Sequence, residues 1–169
     1  MREHCKEGFL LARVWYNVTG DDAWSLTPHM GIAAKISDRL NKVVVGLLNG
    51  ARLKGCTYDF SAMNESFNLL PREDPLQGEA IKIELKDVKA VFFVAEFNGK
   101  PEYHEYLLTD VPMHGRQIEV TFRDGEKLVG RTEGYNPHKL GFFMFPADPK
   151  SNNIRIFVVT ANTRQIRLL

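Results

Sequence analysis

The sequence has few of the residues and patterns that most directly reveal a chemistry. Only two of its 169 residues are cysteines, Cys5 and Cys56. That excludes a disulfide scaffold and predicts a reducing compartment, which we expect to be the cytoplasm. The longest apolar stretch near the start, 9–16, is interrupted by Arg13 and is far too short to cross a membrane. We therefore expect no membrane partner.

The sequence also lacks a large excess of either positive or negative charge. The formal net charge is +1, with no long run of either sign, so the sequence lacks the broad basic footprint of a nucleic-acid-binding domain. The histidines are scattered, and no two have the spacing of metal ligands. Neither a Walker-type nor a dinucleotide-binding glycine pattern is present. The sequence thus predicts no metal and no cofactor.

Catalytic groups are equally scarce. Cys56 would need a nearby base to act as a nucleophile, and the sequence supplies none. We expect its side chain to be solvent-facing or partly covered. Glu73 and Asp74 lie on a polar loop where nothing positions them as a general acid and base. We predict no catalytic residue and a protein that is not an enzyme.

What the sequence does contain is an internal repetition. Residues 42–71 and 117–146 align without a gap at one constant offset, called here the repeat offset, which aligns Lys42 with Gln117. The same offset continues to the end of the chain and predicts a duplicated unit over about 42–94 and 117–169. The identical pairs are Val45/Val120, Gly50/Gly125, Leu53/Leu128, Gly55/Gly130, Thr57/Thr132, Phe67/Phe142 and Pro71/Pro146.

Each unit begins with the pattern of a strand and a hairpin. Apolar side chains alternate along 43–47 before Asn49-Gly50, and again along 118–122 before Asp124-Gly125. No stretch of ten residues has helical spacing. The segment 88–94 is apolar almost throughout, which predicts burial on both faces. Further strands are predicted over 52–58, 67–70, 81–85, 88–94, 128–132, 142–145, 154–159 and 163–169.

The predicted fold class is all-β, with two tandem five-stranded SH3-like or Sm-like small barrels related by internal duplication. The predicted organisation is an N-terminal extension over 1–38, a first barrel over 39–94, a linker over 95–116 and a second barrel over 117–169. A translation start at Met30 is an open alternative for the extension. Because a unit of this size buries only a marginal core, we expect the two units to pack together or share a sheet.

Three strings in the second half carry a family resemblance: DGEKLVGRTEGYNP, GFFMFPADPKSNN and RIFVV. They resemble a family of uncharacterised bacterial proteins that carry this small β-barrel unit in tandem. The resemblance covers about 42–169 and implies the fold, but no activity.

The resemblance to Sm-like barrels implies a specific alternative function, RNA binding. Sm-type proteins bind RNA through an Asp-x-x-Met-Asn-like loop, and Asp59 to Asn64 looks like that loop. The second unit has Tyr135-Asn136 instead, and neither final strand carries the Arg-Gly pair of that family. A further alternative is a PilZ-like sensor of cyclic dinucleotides, since Asp59 and Ser61 match part of the PilZ motif.

Aromatic and basic side chains provide the best indication of binding. Phe60 and Tyr135 occupy the loop after the second strand of each unit, and Phe143 adds a second ring next to Phe142. Such side chains suit a protein interface and equally single-stranded nucleic acid. The alternative to binding is that the rings are buried between the two units. We predict a non-catalytic adaptor that binds protein or peptide. Its predicted binding residues are Phe60, Tyr135, Phe143, Lys139, Arg155 and Arg164.

Overall fold

The computed structural model describes residues 40–71, 79–99, 102–103 and 114–169. These residues form β-strands and two 3₁₀ turns, with no α-helix among them, so the all-β prediction is confirmed for this part of the chain. The extension 1–38, including the alternative start at Met30, and most of the linker lie outside the described residues. The strands are β1 Asn41–Leu47, β2 Arg52–Thr57, β3 Ser66–Pro71, β4 Ile81–Glu84, β5 Val88–Val94, β6 Arg116–Phe122, β7 Lys127–Thr132, β8 Gly141–Met144, β9 Asn153–Val159 and β10 Thr163–Leu168.

Both predicted hairpins are confirmed. β1 pairs with β2 in antiparallel register, with Val45 opposite Leu53, and β6 pairs with β7, with Val120 opposite Leu128. The turn glycines Gly50 and Gly125 have φ angles of 86° and 87°. Glycine reaches this left-handed region without the steric penalty of a side chain, which is why it marks both turns.

Two local predictions were wrong. The fourth strand ends at Glu84, and Leu85 begins a 3₁₀ turn over 85–87. Leu85 remains buried, so the apolar alternation continues although the backbone has left the ladder. Cys56 is only 2% exposed, rather than solvent-facing or partly covered; it pairs with Lys42 of β1 and Leu70 of β3. The last three residues of β2 are all buried, so strand alternation does not decide which side chain is exposed there.

The strands form two antiparallel sheets. Seven strands follow the order β4-β3-β2-β1-β5-β9-β8, and three follow the order β10-β6-β7. A backbone bridge between Arg131 and Phe145 connects the end of β7 to the chain just after β8, with N···O distances of 2.9 and 2.8 Å. The larger sheet contains strands of both halves, so the halves share a sheet, as their small size predicts.

Equivalent elements in the two halves occur at the same offset as the sequence repetition. β1 and β6 have the same bounds when shifted by the repeat offset, as do β2 and β7. The 3₁₀ turns at 85–87 and 160–162 also coincide, and each lies directly before the last strand of its half. Strand order within each half is therefore the same along the chain.

The ladder between β5 and β9 joins the halves and supplies both hydrophobic clusters. Val91 of β5 and Phe157 of β9 face the first cluster, together with side chains of β1, β3 and β4. Ala90 and Val158 face the second cluster, together with side chains of β6 and β8. The predicted burial of both faces of 88–94 is thus confirmed, and the reason is that each face serves a different core.

Asn162, in the second 3₁₀ turn, provides a polar contact between the halves. Its side-chain Nδ2 lies 3.3, 3.0 and 2.8 Å from the carbonyl oxygens of Leu85, Lys86 and Val88. Leu85 and Lys86 belong to the equivalent turn of the first half, and Val88 is the first residue of β5. Asn162 is buried, so the amide satisfies acceptors that water does not reach.

Removing this amide is expected to destabilise the fold. Asn162→Ala leaves the buried carbonyl groups without their donor, which should lower the free energy of unfolding by about 2 kcal/mol. Asn162→Asp, which places a second carboxylate oxygen toward the carbonyl oxygens, should cost at least as much. Urea unfolding measures both, with the exposed Asn64→Ala as a control expected within about 0.5 kcal/mol of the parent. Parent-like stability in both Asn162 variants would show that the contact contributes nothing.

Lys89 of β5 makes a second contact between the halves. Its ammonium contacts Asp124 at 2.7 Å and also Glu126, both in the β6–β7 hairpin. It also lies 4.9 Å from the centre of the Phe122 ring. Burial alone would lower the pKa of Lys89, but the hydrogen bonds to the two carboxylates outweigh it and raise that pKa. This charged side chain is therefore held by the opposite half.

Candidate functional site

The candidate site is built from the loops that connect the second and third strands of each half, 58–65 and 133–140. In the first loop the Asp59 carboxylate accepts hydrogen bonds from the Thr57 hydroxyl at 3.1 Å and from the Asn68 backbone N–H at 3.0 Å. The Asn68 side-chain amide donates a third at 2.7 Å. Asp59 therefore holds the loop on β3, and its oxygens are engaged within the protein.

The second loop is held at its base and near its tip. The Thr132 hydroxyl lies 2.8 Å from the Phe143 carbonyl oxygen, which ties the end of β7 to β8. At the tip, the Asn136 side-chain oxygen accepts the His138 N–H at 2.9 Å, and the Asn136 carbonyl accepts the Lys139 N–H at 3.2 Å. This turn presents His138 and Lys139 on a fixed backbone.

A cluster of phenylalanine rings lies beneath the first loop. Phe60 packs edge-to-face on Phe67 and Phe157, each with ring centres 5.1 Å apart, and on Phe93 at 5.2 Å. Phe143 from the second half lies 6.3 Å from Phe60 and 5.3 Å from Phe157. Phe60 and Phe143 are both only partly buried and join the first core. Rings from the two halves therefore meet here. This agrees with the alternative in which the aromatic rings pack between the two units.

Arg155 covers one side of this cluster. Its guanidinium carbon lies 4.3 Å from the centre of the Phe93 ring and 4.8 Å from that of Phe143. Such a cation–π contact holds the planar guanidinium over the rings. Arg155 is thus engaged on the aromatic cluster rather than extended into solvent.

A first cleft of about 590 Å³ lies between the two loops. Its apolar lining includes Tyr135 and Phe142, whose ring centres are 5.0 Å apart. Met63, from the first loop, also lines the cleft and is 87% exposed. The lining also includes Ala62, Glu133, Gly134, Asn136, His138, Lys139, Leu140, Gly141, Phe143 and Phe145. The cleft therefore combines aromatic and aliphatic surface with a polar rim.

A second cleft of about 540 Å³ lies on the other side of residues 138–140, which line both clefts. It is lined by charged side chains of both signs, including Glu65, Lys82, Glu84 and Lys86 of the first half. A hydrogen bond from Lys86, together with the positive charges of Lys86 and Lys82, lowers the pKa of Glu84. The two lysines are therefore partly neutralised by this carboxylate.

The structure separates the six predicted binding residues. Tyr135, Lys139 and Phe143 line the first cleft. Phe60 lies behind it in the aromatic cluster, and Arg155 stacks on that cluster. Arg164 is exposed on β10 and lines neither of these two clefts.

Sequence reasoning missed Met63, His138 and Leu140 as cleft residues. The sequence offered no specific signal for Met63, because a single apolar residue at the surface is common in folded proteins. For His138 and Leu140 the signal was the Asn136-Pro137 turn, which fixes the following side chains at the surface.

Other kinds of site find no support in the described part of the chain. No group of three or more His, Cys, Asp and Glu side chains is placed to hold a metal ion there. Nor do the described residues include a helix of the length and apolarity needed to cross a membrane.

Comparison with known proteins adds a family. A model of a family of unknown function, DUF6982, matches residues 39–169. No curated protein and no solved structure matches the chain.

Proposed function

We propose that this chain, which belongs to the DUF6982 family, is a non-catalytic adaptor that binds a peptide segment of a partner protein in the first cleft. The observation that carries this proposal is that the exposed Met63 of the first loop lines the same cleft as the paired rings of Tyr135 and Phe142. A concave apolar surface with a few polar groups at its rim is typical of a binding site. Aromatic residues and methionine are also enriched at protein interfaces.

The rim indicates the chemistry of the peptide. Lys139 and His138 lie on the fixed turn at one side of the cleft, and Lys139 is exposed. A peptide that inserts an apolar anchor side chain between Met63 and Tyr135 would bring its flanking residues close to Lys139. We therefore expect an apolar anchor flanked by an acidic residue, because an exposed ammonium favours a nearby carboxylate.

The proposal includes an architecture. We infer two small SH3-like or Sm-like barrels that arose by duplication, supported by the shared strand bounds and by the equivalent 3₁₀ turns. The hairpin registers of the two halves also agree at the repeat offset, as in Val45–Leu53 and Val120–Leu128. Cysteine use favours a reducing, cytoplasmic location.

The nucleic-acid and cyclic-dinucleotide alternatives have weaker support. The Sm-like loop and the PilZ-like motif both use Asp59, whose carboxylate accepts hydrogen bonds from Thr57 and Asn68. The basic side chains Lys139, Arg155 and Arg164 are the basis of the nucleic-acid alternative in the second half. In the second cleft the positive charge of Lys82 and Lys86 is opposed by Glu84. A surface with this charge balance attracts phosphate weakly.

Selection from a displayed random peptide library against the full chain tests the proposed function. We expect enriched peptides whose binding weakens about tenfold in Met63→Ala and in Lys139→Ala, because central apolar contacts and a rim charge are each removed. Ile154→Ala is the matched control for Met63→Ala, since Ile154 is also a large exposed apolar residue but does not line the first cleft. Its binding should equal that of the parent.

Two outcomes would overturn the proposal. One is a library that yields no enriched sequence, and the other is enriched peptides that bind Met63→Ala as tightly as the parent. A pool of single-stranded oligonucleotides at low salt forms the competing arm. Oligonucleotide binding that decreases steeply with added salt would favour the nucleic-acid alternative instead.

A further inference from the structure

Side by side in space, the strands of the two sheets form one series that begins with β4 and ends with β10. β4 is the last strand at one end of the seven-stranded sheet, and β10 is the last at one end of the three-stranded sheet. The other ends of the two sheets, β8 and β7, are next to each other through the bridge between Arg131 and Phe145. Among the described residues, β4 and β10 therefore each have one edge with no neighbouring strand.

These two edges are complementary, because the chain already contains the contact that they would make. Inside the chain, β5 pairs with β9 in antiparallel register. β5 follows the 3₁₀ turn at 85–87, and β10 follows the turn at 160–162. β4 and β9 lie directly before these turns. At the repeat offset, β10 is thus the equivalent of β5, and β4 is the equivalent of β9.

We propose that copies of this chain associate head to tail, with β10 of one copy added in antiparallel orientation to β4 of the next. The register follows from the internal ladder, in which Ala90 faces Val158 and Phe92 faces Ile156. The repeat offset carries the β5 residues forward to β10 and the β9 residues back to β4. In the resulting register Gln165 faces Ile83 of the neighbouring copy, and Arg167 faces its Ile81. The proposed contact repeats the β5·β9 contact and does not depend on the proposed peptide binding.

Burial at the two edges agrees with this pairing. β5 is buried at nearly every residue, whereas β10 has no buried residue. Leu168 and Leu169 are 41% and 59% exposed, and Ile81 of β4 is 43% exposed. In the proposed register Leu169 is the diagonal neighbour of Ile81 of the next copy on the same face of the sheet, so exposed apolar side chains of both edges come together. Pairing would reduce the exposure of these side chains.

One pair of opposite charges at these edges favours this register. Charged side chains commonly prevent one sheet edge from pairing with another. Continued by one residue, however, the register places Arg164 opposite Glu84 of the neighbouring copy, and opposite charges across a ladder are attractive. Lys82, diagonal to Arg164, lies 3.8 Å from the same Glu84, and Arg167 is already paired with Glu119. Glu84 also contacts Lys86, so Arg164 would share this carboxylate with two lysines.

A head-to-tail contact uses two different surfaces of each copy. Every copy offers its β4 edge to one neighbour and its β10 edge to the other. Such heterologous contacts produce a closed ring if the rotation between copies closes, and an open filament if it does not. Both assemblies contain the same interface.

Sedimentation velocity of the full chain over a concentration series tests the inference. We expect species heavier than the 19.3 kDa monomer, with a fixed largest size for a ring or continued growth for a filament. Arg164→Glu and Glu84→Arg should each weaken the association about tenfold, because each places like charges opposite one another. The combined variant Arg164→Glu, Glu84→Arg restores an opposite-charge pair and should recover most of the association.

Lys127→Glu is the matched control, since it reverses an exposed charge on β7, away from both edges, and should associate like the parent. A parent chain that stays monomeric at every concentration would overturn the inference. So would an association that neither reversal weakens, because the contact would then lie elsewhere. Failure of the combined variant to recover would reject the proposed register.

Discussion

Replacing Phe157 with alanine is expected to lower the free energy of unfolding by about 4 kcal/mol. Phe157 is fully buried in β9 and packs on rings of both halves, with ring centres 5.1 Å from Phe60 and 5.3 Å from Phe143. Alanine would leave a cavity that the surrounding strands cannot close. The reason is that β9 is held between β5 and β8 on its two edges.

The loss should affect both halves at once. Because β9 contributes Phe157 to one hydrophobic cluster and Val158 to the other, we expect one cooperative transition in urea, with coincident fluorescence and circular dichroism. Phe157→Leu should retain most of the stability, and Ile154→Ala, an exposed change on the same strand, should be within about 0.5 kcal/mol of the parent. A loss below about 1 kcal/mol in Phe157→Ala, or two separate transitions, would contradict this account.

Replacing Gly141 with alanine is expected to have the second largest effect, a loss of about 3 kcal/mol. A Cβ atom at Gly141 would lie 2.3 Å from the Val158 carbonyl oxygen and 2.4 Å from the Phe157 ring carbon Cζ. Neither group can move away freely. The carbonyl oxygen belongs to the β8·β9 ladder, and the ring is packed in the core.

Gly134 provides the matched control for this substitution. It lies in the loop 133–140, and a Cβ atom there would meet no heavy atom within 4 Å. Gly134→Ala should therefore be neutral or slightly stabilising, since alanine reduces the entropy of the unfolded chain. Thermal unfolding measures both: a decrease of about 10 °C is expected for Gly141→Ala and no decrease for Gly134→Ala. Equal midpoints for the two variants would show that β8 can shift to accommodate a methyl group.

Some of the candidate site could be predicted from the sequence. Tyr135 and Lys139 line the first cleft, and both lie in a polar loop whose turn residues keep side chains at the surface. Phe60 occupies the equivalent region of the first half, and its contact with Phe67 is the equivalent of that between Tyr135 and Phe142. Phe60 also packs on Phe157, however, and does not line the first cleft. Which face of an aromatic ring is covered depends on residues distant in the chain, so the sequence pattern does not distinguish the two cases.

Features that depend on residues close together in the chain could be predicted from the sequence alone. Alternation of apolar side chains and the glycine turns at Gly50 and Gly125 specified the strands and hairpins, because both are local requirements of the backbone. The constant repeat offset also anticipated equivalent strand bounds in the two halves.

How the halves meet became visible only in three dimensions. The pairing of β5 with β9 joins residues that are far apart in the chain, and no local pattern specifies which of several apolar strands becomes the partner. That ladder buries both faces of 88–94, places Phe157 in the core of the opposite half and leaves the edges of β4 and β10 without a neighbour among the described strands. The physical reason is that strand pairing satisfies backbone groups which are the same in every residue, so the partner is selected by packing across the whole fold.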